Sequence, residues 1–130
     1  MNGLDRGWIV FAALNGAIAV GAGAYASHGL AADPHAQDLV RLAGHYQMWH
    51  ALALLAVVVL AARADGFARL ALRLAGWLFV AGIALFSGTL YALAVIGPLP
   101  VAMTAPLGGW AFMLGWLALG AAAIGFRRPA

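Results

Sequence analysis

The sequence predicts an all-α protein, an integral membrane four-helix bundle, and three observations carry that reading. Leu42 to Ala62 is an uncharged run of 21 residues, and at about 1.5 Å per residue a helix of that length just crosses a hydrocarbon core of ~30 Å. Of the 130 residues, 65% are hydrophobic and only 8% are charged, whereas a soluble domain carries roughly 25% charged residues. The mean hydropathy of +0.95 agrees. Finally, the arginines stand at the ends of apolar runs, where they read as topology markers. One domain suits this length.

The first span covers about residues 7–27. Asp5 and Arg6 precede its apolar run, Trp8 to Ala26, and His28-Gly29 follow it. A signal peptide is the competing reading, with Arg6 as its basic region and Ala24-Tyr25-Ala26 as a cleavage site. The run exceeds the ~7–15 residues of a signal-peptide core, so it reads as a membrane helix. Ala13, Ala17 and Gly21 recur at every fourth position, a spacing that lets helix backbones approach closely in lipid. Asn15 is the amide within this helix and is expected to bond a neighbouring helix. His28 to Asp38 reads as a polar connector, with Gly29 ending the first helix and Asp33-Pro34 starting a short helix as N-cap and first residue.

The second span, about 40–62, opens with Gly44-His45-Tyr46-Gln47-Met48-Trp49-His50 and closes at Arg63, Asp65 and Gly66. Phe67, Leu70, Ala71 and Leu74 have helical spacing, which predicts an interfacial turn running into the third span, about 74–97. Pro98 and Pro100 end that span. Within it Ala84, Gly88 and Ala92 form a second small-residue stripe, and Ser87 and Tyr91 lie four apart on an adjacent face. Pro98 to Thr104 is a short hairpin. The fourth span, about 105–126, has Thr104 as expected N-cap, Pro106 in its first turn, Trp110 and Phe126 as interface anchors, and Arg127 and Arg128 at its end.

Four spans put both termini on one side. Arg6, Arg63, Arg69, Arg73, Arg127 and Arg128 fall on that side and Arg41 on the other. The asymmetry predicts a multi-pass membrane protein with both termini and the central loop in the cytoplasm, or in the matrix if the protein is mitochondrial. The basic balance of seven Arg against four Asp does not indicate nucleic acid, because the arginines form neither a helix-face patch nor an aromatic-interleaved one. The absence of cysteine removes disulfides, thiolate-bound clusters and thiol nucleophiles.

Depth then gathers the polar residues. His45 lies roughly 4–5 Å and His50 roughly 12 Å inside the outer end of the second span; Tyr91 lies roughly 9 Å and Ser87 roughly 15 Å below the outer end of the third. With His28 and Thr104 at the outer boundary, and Tyr46 and Gln47 beside the histidines, they form a candidate polar cluster or ligand-binding site in the outer half of the membrane. One reading is mutual satisfaction: His50 to Ser87 or Tyr91, and His45 or Gln47 to backbone near Gly29. Another is a shallow pocket for a lipid head group or quinone lined by Tyr46, Trp49, His50 and Tyr91. Metal or b-type haem through His28 and His50 is the weaker reading. No His-x-x-x-His pair is present, and His45 and His50 point about 140° apart. No acidic residue lies within a span, and Ser87 with His50 has no third orienting acid, so no catalytic set is assigned.

These stretches resemble a known family. Gly21-Ala22-Gly23-Ala24-Tyr25-Ala26-Ser27-His28-Gly29-Leu30, Tyr46-Gln47-Met48-Trp49-His50-Ala51-Leu52-Ala53, Leu85-Phe86-Ser87-Gly88-Thr89-Leu90-Tyr91, and Thr104-Ala105-Pro106-Leu107-Gly108-Gly109 with Gly115-Trp116 are similar to the YgdD-like family of small membrane proteins. It is a domain of unknown function whose eukaryotic relatives are called transmembrane protein 256. Ser27 departs from the family's Gly-Ala-His-Gly form, and Ala105 separates Thr104 from Pro106. The resemblance implies a four-span inner-membrane protein, places His28, Tyr46, Gln47, His50, Ser87 and Tyr91 in the family pattern, and supplies no substrate. The leading functional expectation is a non-enzymatic accessory or assembly component of a membrane complex, with the lipid bilayer as its surroundings and a membrane-protein complex or homo-oligomer as its partner. The alternative is a binding module whose outer-leaflet pocket (His28, Tyr46, His50, Ser87, Tyr91) takes a lipid, quinone or haem. A channel needs a polar path through the inner half, which only oligomerisation could supply.

Overall fold

The computed structural model describes residues 1–98 and 103–126. Within them four helices are long and apolar enough to cross a membrane: α1, Gly3–Gly29; α2, Pro34–Ala61; α3, Gly66–Ile96; and α4, Thr104–Gly125. This is an all-α integral membrane bundle. α1 packs chiefly on α2, α2 runs along α3, and α4 packs chiefly on α3. Arg127 and Arg128, and Pro100 with most of the expected hairpin, lie outside the described residues.

α1 and α2 begin ahead of their apolar runs because their first turns are capped. Asn2 accepts a bond from the Asp5 amide at 2.8 Å, and the Asp5 carboxylate reaches back to the Asn2 amide, a capping box that starts α1 at Gly3. Asp33 accepts from the Ala36 amide at 3.1 Å with Pro34 in the first turn. The start expected there is real, but the helix it opens is α2 itself, continuous through His35 to Asp38. Gly29 does not terminate α1 in a left-handed turn: it is the last helical residue, Leu30 is the cap, and the Tyr25 ring lies over the glycine. Positive φ occurs among the described residues only at Gly66 (+48°) and Gly97 (+93°), which open and close α3. Thr104 is not the cap of α4. Met103 takes that position and Thr104 is already helical, its hydroxyl turned to α3.

Packing follows a seven-residue period. Ala12, Ala19 and Ala26 are the buried positions of α1 beyond its first turn and a half. α2 buries Ala36, Val40, Ala43, Gln47, His50, Leu54, Val57 and Ala61, an alternation of four and three. α3 buries Ala68, Leu72, Ala75, Phe79 and Gly82 in the same way, and α4 buries Gly108, Gly115 and Ala122. A strict seven-residue repeat keeps one seam facing its neighbour in a left-handed supercoil, the commoner arrangement of membrane helices. The expected every-fourth-residue stripes point elsewhere: Ala13, Ala17, Gly21, Ala84 and Gly88 are all exposed on the bundle's outside. The reason is period. Neighbours four apart line a right-handed crossing, and these helices meet along sevens.

Aromatic rings fill the recesses left by small residues. Trp8 sits against Gly76, Phe112 against Gly82 and Phe79 against Gly115. The α3 pattern then slips by one residue at Ile83–Ser87, a π-helical turn. Gly82 to Ser87 is a step of five, and the wider turn absorbs the extra residue so that Ser87, not Phe86, faces α2. Phe86 is turned to α4, where its backbone presses on Gly108. At the arginine-rich end Arg73 pairs with buried Asp5 and lies 5.3 Å from the Trp8 ring, tying α3 to α1.

A Cβ at Gly108 would meet the Phe86 backbone, which has no rotamer with which to yield, whereas Gly120 has nothing within 4 Å. Gly108→Ala is expected to cost about 1–3 kcal/mol as an overpacked contact, and Gly120→Ala to leave stability unchanged or slightly raised by helix propensity. Circular dichroism of thermal unfolding in a mild detergent checks the pair; equal midpoints would contradict the packing.

Candidate functional site

The candidate residues divide between the two sides of α2 instead of forming one cluster. On the side facing α1 and α3, a chain of hydrogen bonds crosses three helices. Tyr91 donates its hydroxyl to Gln47 Oε1 at 2.6 Å, Gln47 Nε2 donates to Asn15 Oδ1 at 2.8 Å, and Asn15 Nδ2 donates to the Phe11 carbonyl at 2.8 Å. Gln47 is buried, so both ends of its amide need partners, and this chain supplies them. Gln47 therefore does not reach backbone near Gly29; Gln37 does so, donating to the Ala26 carbonyl at 2.8 Å. Ser87 is buried and donates to the Ala43 carbonyl at 2.9 Å.

His50 lies on the side facing α4. Its Nδ1 is 2.6 Å from the Tyr46 carbonyl one turn back, and Trp116 Nε1 donates to its Nε2 at 3.0 Å. A carbonyl can only accept and an indole N–H can only donate, so the two contacts fix the neutral tautomer with the proton on Nδ1. The imidazole stacks on Phe112 at 3.6 Å between centroids and 12° between planes. Neither ring nitrogen is free for Ser87, Tyr91 or an axial bond to a metal, which would first have to displace Trp116. The expected bond from His50 to Ser87 or Tyr91 is thus not made.

His28 and His45 are exposed, and His45 stacks on Trp49 at 5.9 Å. The Thr104 and Thr89 hydroxyls are bonded at 2.8 Å and join α4 to α3, with Thr104 the donor because the Thr89 proton goes to the Leu85 carbonyl. No group of three or more metal-ligating side chains occurs among the described residues. The pocket expected from His28, Tyr46, His50, Ser87 and Tyr91 is not assembled, because Ser87 and Tyr91 are taken up by the Ala43 carbonyl and Gln47 while His50 is bonded by Tyr46 and Trp116, and His28 is exposed. A different concavity is present. A groove of about 710 Å³ opens between α2 and α4, lined by Tyr46, Trp49, His50, Phe86, Phe112 and Trp116. Sequence reasoning missed Phe112 and Trp116. Their signal was a Phe and a Trp four apart, at Phe112 and Trp116, on a helix expected to neighbour His50.

A family model described as a protein of unknown function, DUF423, matches residues 22–109. The UPF0382 membrane protein YwdK of Bacillus subtilis (strain 168) is 39% identical over 120 residues, covering 90% of this chain and 95% of its own. A UPF0382 membrane protein of Haemophilus influenzae is 40% identical over 114 residues, with coverage of 86% and 89%. The UPF0382 membrane protein SAB0533 of Staphylococcus aureus is 39% identical over 114 residues, with coverage of 86% and 90%. No solved structure matches.

The Tyr91–Gln47 bond is expected to show a coupling of about 0.5–1.7 kcal/mol, the range of interhelical bonds in lipid. A double-mutant cycle with Tyr91→Phe and Gln47→Leu, read by denaturant-driven unfolding in micelles, measures it; additive effects would remove the bond.

Proposed function

This chain belongs to the DUF423 family of membrane proteins, and from that premise we propose that it is a non-enzymatic accessory or assembly component of a membrane complex. One observation carries the reading. The two connectors that the structure describes in full, Leu30–Asp33 and Ala62–Asp65, are four residues each, so recognition falls to the sides of the helices. A groove of about 710 Å³ lies there between α2 and α4. Tyr, Trp and Phe side chains dominate its wall, as they dominate the cores of protein interfaces. The polar groups of the spans support the same reading, since Gln47, His50, Ser87 and Tyr91 are each engaged in bonds that hold helices together.

The reading also orients the protein. In the inner membrane, both termini and the Ala62–Asp65 connector face the cytoplasm, consistent with Arg6, Arg63, Arg69 and Arg73 at that end. The cysteine-free chain makes this directly testable. Ala32→Cys is expected to react with a membrane-impermeant maleimide in intact cells, and Asp65→Cys only after permeabilisation; the reverse pattern would overturn the orientation. For the function itself, a photo-crosslinking residue at Met113, which lines the groove, is expected to capture one reproducible membrane protein at native expression. The same residue at exposed Val59 is expected to capture only lipid. Lipid alone from both positions would contradict an assembly role.

A further inference from the structure

Arg41 is the one arginine at the end of the bundle opposite the rest of the arginines that the structure describes. It stands immediately before the uncharged run Leu42–Ala62, at the level where hydrocarbon gives way to head groups. Its recorded polar contact is with the Ser27 hydroxyl at 3.5 Å, and Asp38, one turn earlier on the exposed side of α2, is not ion-paired with it. One turn inward lies His45, exposed and propped against Trp49. Arg41 and His45 line the same groove, a cleft of about 270 Å³ between α1 and α2 whose other walls include Ala19, Gly23, Val40 and Met48. Below its cationic end the cleft is therefore lined by small and apolar side chains.

We propose that this cleft is a binding site for one membrane phospholipid, with the phosphate held by Arg41 and His45 and an acyl chain lying along Ala19, Gly23 and Met48. Charge complementarity selects the occupant. A guanidinium at the interface with no carboxylate bound to it matches a phosphate that the membrane supplies at that depth, and its planar fork bonds phosphate through two N–H groups. The imidazole adds a second donor about 6 Å further along the helix axis. A partner helix would fill the apolar part but bring no anion to that level, and free phosphate would meet Arg41 but leave the cleft empty. The residues that bond Gln47 and His50 are not among the cleft's lining, and the site does not depend on the assembly role or on which side of the membrane the termini face.

Native mass spectrometry of the full chain, released from a mild detergent after equilibration with phosphatidylglycerol, tests the site. The wild type is expected to retain one lipid. Arg41→Gln is expected to weaken retention about tenfold, the loss of one charge-assisted bond, and Arg41→Lys to weaken it less. Ala24→Phe, which blocks the cleft and keeps Arg41 and His45, is expected to abolish retention, while Arg63→Gln at the other end changes nothing. Circular dichroism establishes that each variant is folded; these substitutions are at exposed positions. Equal retention by wild type, Arg41→Gln and Ala24→Phe overturns the proposal. So does displacement of the lipid by millimolar inorganic phosphate, which would make the anion alone the ligand, or a lipid-free dimer, which would make the occupant a second copy.

Discussion

Lipid tails are as apolar as leucine, so nothing like the hydrophobic effect drives these four helices together once they are in the bilayer. Association has to come from contact area and from polar groups that have no better partner. The seven-residue seams supply the first. Ala12, Ala19 and Ala26 let α1 lie close along α2, and Gly76, Gly82 and Gly115 open recesses that Trp8, Phe112 and Phe79 fill. Dispersion is small per atom pair and large per buried ring, so aromatic-into-glycine packing is effective in a solvent that offers no squeeze of its own.

The polar ties then fix which arrangement of seams is adopted. Gln47 and His50 both occupy seam positions of α2, where an apolar residue would fit several registers equally well. A buried amide accepts one register, that in which Asn15 and Tyr91 meet its two ends. His50 does the same toward α4 through Trp116. In soluble coiled coils a single polar seam residue sets register at some cost in stability; here the hydrocarbon surroundings make an unpaired amide costly and the choice correspondingly sharp. The π turn at Ile83–Ser87 belongs to the same logic, since without its extra residue the α3 seam would present Phe86 to α2 and leave the Ala43 carbonyl without the Ser87 hydroxyl.

The four spans were legible because transfer of a helix into lipid is dictated by composition, and composition is local. Asp33-Pro34 was legible as a helix start because a cap is local too. What the residues in order could not convey was rotation of one helix about its axis relative to another. Ala13, Ala17 and Gly21 look like a seam, and so do Ala12, Ala19 and Ala26; the choice depends on which face α2 meets. The same unknown merged two groups of polar residues into one. Depth placed Ser87, Tyr91 and His50 at similar levels, but each turns to a different partner: the Ala43 carbonyl, Gln47 and Trp116. Asp5 and Arg73 were read as markers at two helix ends, and their pairing needed the knowledge that α1 and α3 touch. Membership of the DUF423 family places the chain among membrane proteins without adding an activity.

The account stands on seams with a period of seven. Its most direct test compares two triple substitutions in α1, Ala12→Leu with Ala19→Leu and Ala26→Leu against Ala13→Leu with Ala17→Leu and Gly21→Leu, by unfolding in detergent and by near-ultraviolet circular dichroism of the tryptophans. The seven-period account predicts that the first triple loses the fixed tryptophan environment and the second keeps it. Loss in the second with retention in the first would contradict it.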